Sequence, residues 1–257
     1  MVRILYRDTV NNPENPVKIE DDLAKIEGRV SKIFRKMIEE DDIVLSTSEE
    51  EEVRLFISIM GTRAKSAFDD FGEDAPKEIK AFYEPFLKGG NLIDFWKRNL
   101  ALLANCRSYK DVERNSDIDE PVKFFIGRDM IGLTGMYLMV VERRGSEDFI
   151  LGDNYPIVVE GSSDNGIKLP MYYICPLSPS RCLMMVSRGV ELTKMTVSGF
   201  KESFFQPPKQ KPYGKSMSIH VQKIYEDNVK RFNKMIYENA DEGVVFQREE
   251  SLGLYSK

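Results

Sequence analysis

Near the start of the chain apolar residues recur at steps of three and four: Leu23, Ile26, Val30, Ile33, Phe34, Met37 and Ile38. That is the period of a helix with one buried face, and it predicts an element from about Glu20 to Glu40. A second helix is expected from the stretch STSEEEE, where Ser46, Thr47 and Ser48 each precede a glutamate by three, the capping-box spacing. Its acidic first turn suits the positive end of the helix dipole. Val53, Phe56, Met60, Ala64, Ala67, Phe68 and Phe71 carry it to about Phe71. Pro76 opens a third, short helix that the pair Gly89-Gly90 ends, and Leu92, Phe95, Trp96, Leu100 and Leu103 predict a fourth, running to about Cys106.

From Val122 the pattern changes. VKFFIG, MYLMVVER, DFIL, PIVVEG and LPMYYICPL are short, rich in β-branched and aromatic residues, and separated by Gly, Asp, Asn, Ser and Pro. They predict an antiparallel sheet. A proline- and lysine-bearing loop follows at residues 204–216, then a long closing helix from about Ile219 to Ala240 and a last strand, GVVFQRE. Segregation of helices from strands indicates an α+β fold: an N-terminal helical layer packed on a C-terminal antiparallel sheet, closed by the long helix. One domain is expected over residues 1–257, with a helical half at 20–106 and the sheet plus closing helix at 122–257.

Charge and composition narrow the function classes. Lys and Arg number 37 against 42 Asp and Glu, a net charge of -5, so bulk attraction to nucleic acid or an anionic membrane is not implied. The longest apolar run, GMYLMVV, falls far short of the about 20 residues a membrane span needs. Cys106, Cys175 and Cys182 have neither close paired spacing nor neighbouring histidines, which argues against a zinc site or a disulfide framework and for a cytoplasmic location. His220, the single histidine, is placed on the solvent side of the closing helix. Arg143, Arg144, Arg181 and Arg188, with the lysines of 209–215, have the charge to bind phosphate groups, but a solvated surface is the expected reading.

The informative positions are polar residues among apolar ones. On a helical wheel Glu27 lies in the apolar arc of the first helix, between Phe34 and Ile38, and Arg63 lies in that of the second, beside Phe56 and Ala67. An unpaired buried charge costs several kcal/mol by order of magnitude, so the two are expected to meet. The closing helix, with Val221, Ile224, Phe232, Met235 and Ile236 setting its arc, places Asn228 and Asn239 inside it. Asp153 and Asn154 interrupt the apolar runs of FILGDNYPIVVEG at a turn, where a scaffold directs side chains toward a cleft. The site assembled from these residues has Asp153, Arg63 and Glu27 as its reactive candidates and Asn154, Asn228 and Asn239 as its binding amides. Read as fold, the same residues form a specifying network.

These residues resemble the bacterial domain-of-unknown-function family 4238. The shared features are Ile26-Glu27, the arginine after LFISIMGTRA, the turn LGDNYPIVV, the segment CPLSPSR, and the late helix YEDNVKRFNKMIYENADEGVVFQRE, in order over about residues 20–248. Relatives usually begin with a segment like QHYVPRFYLKNF, whose histidine and arginine this chain lacks, and Tyr155 is inserted in the turn. The resemblance implies a cytosolic protein of bacteria or phage, with conflict between the two as the associated theme and a protein partner or small ligand to bind. Two alternatives accompany this reading. One is a metal-dependent hydrolase or nuclease, with Asp153 holding a divalent metal, Arg63 stabilising anionic charge and an asparagine orienting substrate. The other is a structural subunit of a larger complex.

Overall fold

The computed structural model describes residues 13–63, 77–162, 168–187, 216–240 and 243–248. The chain divides into two compact units, Met1–Ile33 with Ser48–Ile131, and Phe34–Thr47 with Gly132–Lys257. The described elements are helices α1 (Lys18–Glu39), α2 (Thr47–Arg63), α3 (Lys77–Tyr83), α4 (Leu92–Leu103), α5 (Tyr109–Arg114), α6 (Glu120–Thr134) and α7 (Glu226–Asn239). The strands are β1 (Asp42–Leu45), β2 (Met136–Arg143), β3 (Leu151–Gly152), β4 (Ile157–Ser162), β5 (Lys168–Pro176), β6 (Arg181–Ser187), β7 (Met217–Ile224) and β8 (Val244–Val245). The mixture is α+β. Among the described residues no helix is long and apolar enough to cross a membrane.

The first unit is helical, and its helices start where side chains satisfy their opening N–H groups. Asn91 and Asp94 form a reciprocal capping box at α4, and Ser108 and Asp111 form another at α5. Along α1 the buried stripe is Ile19, Leu23, Ile26, Val30, Ile33 and Met37, and the one buried acid is Asp22, bonded to Lys18 at 2.6 Å and Lys25 at 2.7 Å. VKFFIG, expected as a strand, is the first half of α6. Val122, Ile126, Met130 and Leu133 are buried at helical steps, and Pro121 suits a first turn. Its β-rich composition yields to this longer period.

Arginines tie these helices by their open ends. Arg29 bonds Glu52 at 2.6 Å and donates to the carbonyl of Cys106, just past α4, at 3.0 Å. Arg98 bonds Asp119 at 2.6 Å and the carbonyl of Phe86 at 3.0 Å. Fully buried Asn99 completes that junction, donating to Asp119 at 2.8 Å and accepting from the Asp119 N–H at 2.9 Å. Burial alone would raise the Asp119 carboxyl, but Arg98, Asn99 and Lys88 outweigh it and hold the group below the usual carboxylate value.

The second unit is built on a six-stranded sheet in the order β1-β7-β2-β6-β5-β4. Its pairings are antiparallel except for β2 with β7, so the sheet is mixed where an antiparallel one was expected. The difference has one source. Residues 217–224, assigned from sequence to the closing helix, are a strand, and that helix begins only at Glu226. Val221 and Ile224 stand three apart and mimic a helical turn, but this backbone bonds β1 along one end and β2 along the other. Pairing with neighbours overrides the local pattern. β6 went unpredicted because RCLMMV is buried throughout and so shows no alternation.

Arg181, expected on the surface, is 6 % exposed. Its Nε donates to Glu142 on β2 at 2.9 Å, and one terminal nitrogen reaches Asp41 at 2.6 Å. The other donates to the carbonyls of Met37 at 3.2 Å and Glu40 at 2.5 Å, the open end of α1. Arg181→Ala, which leaves these carbonyls without that donor and Glu142 with the more distant Lys223 at 3.5 Å, is expected to cost about 3–5 kcal/mol in urea unfolding. In the first unit a Cβ at Gly127 would overlap the Tyr109 hydroxyl and lie 2.9 Å from its Cζ. The half-exposed Tyr109 ring can swing aside and alanine is the better helix former, so Gly127→Ala is expected to change stability by under about 1 kcal/mol in the same measurement.

Candidate functional site

The segment from Gly145 to Pro156, which carries the Asp-Asn turn, is a strap laid along α7 and fastened at successive residues. DFIL, expected as a strand, is paired only from Leu151, where Leu151 and Gly152 oppose Val245 and Val244. Before that point the strap finds its partners elsewhere. The Phe149 N–H donates to the carbonyl of Pro179 at 2.9 Å, in the turn that CPLSPSR makes between β5 and β6. The Ile150 N–H donates to the side-chain oxygen of Asn233 at 3.1 Å, and the Asn233 amide donates back to the carbonyl of Asp148 at 2.7 Å. Asn233 is fully buried on α7, so its amide stands in for the strand that the strap lacks.

The turn itself is held by the far end of α7. Asn154 donates from Nδ2 to the carbonyl of Asn239 at 3.2 Å. Asp153 donates its N–H to the carbonyl of Gly243, and its Oδ2 accepts from the Gly243 N–H, both at 3.2 Å. Gly152 permits the approach, since a Cβ there would stand 3.2 Å from the Ile236 Cγ2. The structure thus brings Asp153, Asn154 and Asn239 together. Asn228 is in the first turn of the same helix and is half-buried, while Asn239 is exposed, so neither amide lies in the buried arc.

The reason is the false helical start. With Val221 and Ile224 removed, Val229, Phe232 and Ile236 set the arc, and Asn233 lies four after the first and three before the last. It was the amide to predict. Glu27 is exposed on α1, contrary to its expected place in the apolar arc, because Phe34 and Ile38 are only half-buried and mark the rim of that arc. Arg63 ends α2, and its side chain lies outside the described residues, as do Ala64, Ala67 and Phe71. Most of the lysine-bearing loop and Arg188 also lie outside them. His220 belongs to β7 rather than to a helix.

At the near end of α7 the strap carries charges that sequence reasoning missed. Asp148, 1 % exposed, meets Arg248 at 2.5 Å and Arg143 at 3.1 Å. Arg248 also donates to the carbonyl of Ser146, and Arg143 to that of Gly145. Beside them Glu147 accepts from Asn233 at 3.3 Å. Tyr155 turns its phenol inward; burial drives that group well above its ordinary value, and it shares a hydrogen bond with Cys175. Burial also raises the thiols, Cys106 to about 11, Cys175 to about 12, and Cys182 well above its usual value. Such thiols are poor nucleophiles. Among the described residues no group of three or more His, Cys, Asp or Glu is placed to hold a metal ion.

The turn, the following PLSP segment and the late asparagine helix are therefore parts of one fastening. The family model described as Protein of unknown function (DUF4238) matches residues 2–250. The chain belongs to this family. No curated protein and no solved structure matches it.

Asn233→Ala strands the Ile150 N–H and the Asp148 carbonyl in the interior and is expected to cost about 2–4 kcal/mol in chemical unfolding. Asp153→Ala and Asn154→Ala, at the solvent-facing end, are each expected to cost under about 1 kcal/mol. In the native protein at pH 8 a thiol reagent is expected to modify the three cysteines far more slowly than in urea, as followed by absorbance.

Proposed function

We propose that this family member is a cytosolic binding or accessory protein of bacteria or their phages, acting in the conflict between them, and that the corner around Asp153 and Asn154 docks a protein partner. The cellular theme rests on the family resemblance. The docking role rests on one observation: the polar groups of the turn are bonded to the end of α7 and to Gly243 beside a solvent-facing apolar pair. Leu151 and Val245 oppose each other on β3 and β8 and are 41 % and 69 % exposed. A fixed loop that shows apolar side chains is a form binding surfaces take. Asn154 and Asn239 belong to this surface as its polar rim, and Asn228, Glu27 and Arg63 are assigned no docking role.

Affinity purification of the tagged chain from its own host, with mass spectrometry, tests the reading against a Leu151→Asp, Val245→Asp double variant. A protein retained by the wild type and lost from a variant with unchanged circular dichroism is the expected result. Equal recovery by both would overturn it. Saturable divalent-metal binding that Asp153→Ala abolishes, together with phosphodiester cleavage, would replace it with the hydrolase reading.

A further inference from the structure

Leu151 and Val245 face each other, but they come from segments held in different ways. The strap is tied into its own unit at Phe149 by the carbonyl of Pro179, at Asp148 and Ile150 by Asn233, and at Asn154 by the carbonyl of Asn239. Residues 243–248, the tail, lie antiparallel along it. Gly243 bonds Asp153, Val244 and Val245 oppose Gly152 and Leu151, and Arg248 reaches Asp148 and the carbonyl of Ser146. Val244 packs against the core, and the other five tail residues are exposed. A segment with so little buried apolar contact opens more readily than the elements it lies on.

The far end of the tail is fastened by charge. Asp148 is 1 % exposed, and its Oδ2 accepts from the Arg248 Nε at 2.5 Å. The Arg143 Nε lies 3.1 Å from the other carboxylate oxygen, but the two atoms are not aligned for a hydrogen bond. Lifting the tail would leave a buried carboxylate facing one misaligned guanidinium, a cost that favours closure.

We infer that the docking surface is assembled rather than fixed: the tail opens and closes on a seated strap, and the Arg248–Asp148 pair is the catch that holds Val245 beside Leu151. Arg248 is then a positioning residue that acts through the tail's backbone. A partner gripping both apolar side chains binds the closed form, so by linkage its binding tightens the catch. The purpose of the catch rests on the docking reading; its existence is read from the tail alone.

The Asp153 N–H donates to the Gly243 carbonyl, so by the alternation of an antiparallel ladder Leu151 and Val245 form a hydrogen-bonded pair. Hydrogen exchange of the full chain therefore reads the tail at the Leu151 and Val245 amides, and the strap at the Ile150 amide, which Asn233 holds. In Arg248→Ala protection of the first two is expected to fall severalfold while Ile150 and the β2 amides keep theirs. Arg248→Lys, which retains the charge without the planar fork, is expected to lie between. Unchanged protection of Val245 in Arg248→Ala would overturn the catch. An equal loss at Ile150 would also overturn it, because strap and tail would then open as one. Recovery of no partner by the wild-type chain would overturn the docking reading and leave the catch standing.

Discussion

A guanidinium taken out of water must recover its hydrogen bonds from the protein, and Arg181 recovers them from three places at once: a carboxylate on β2, a carboxylate after α1, and the carbonyls that α1 leaves open. Helix ends and acids need donors for the same reason, so each party removes the other's penalty. Arg29 and Arg98 repeat the bargain in the first unit with the ends of α4 and the turn at Phe86. At each of these three places an arginine and an acid stand by.

Asn233 solves the corresponding problem for an extended segment. Strap residues 147–150 are buried but have no strand beside them over most of that length, and one side-chain amide supplies both a donor and an acceptor to their backbone. An alanine or a leucine could fill the space but not the bonding. The turn and the late asparagine helix thereby gain a shared physical purpose in this chain, since the helix carries both the amide that seats the strap and the carbonyl that receives Asn154.

What was legible in the sequence was periodicity with room to repeat. α1 and α4 came within a few residues of their observed limits, and β2 coincided with MYLMVVER. VKFFIG was a local misreading of a helical period, but most of what else failed was decided by partners distant in the chain. Residues 217–224 are a strand because β1 and β2 accept them, and no local window contains that fact. The same misplaced boundary rotated the wheel of the last helix and hid Asn233. Arg181 was missed because its acids and carbonyls come from residues 37–41 and 142, and Glu27 was promoted by treating the rim of an arc as its centre. The Asp-Asn turn was read correctly as a turn, and its hold on the helix end could be seen only in three dimensions.

The sheet's connectivity also orders events in the life of the chain. Asp42 of β1 pairs with His220 of β7, and among the described strands it is β7 that joins β1 to the rest of the sheet. On a ribosome β1 emerges well before its partner and must wait, with its apolar Ile43 and Leu45 unburied, until the chain has been extended through Met217–His220. A nascent chain therefore carries an unsatisfied strand until β7 arrives, an interval open to aggregation and one in which a chaperone has something to offer.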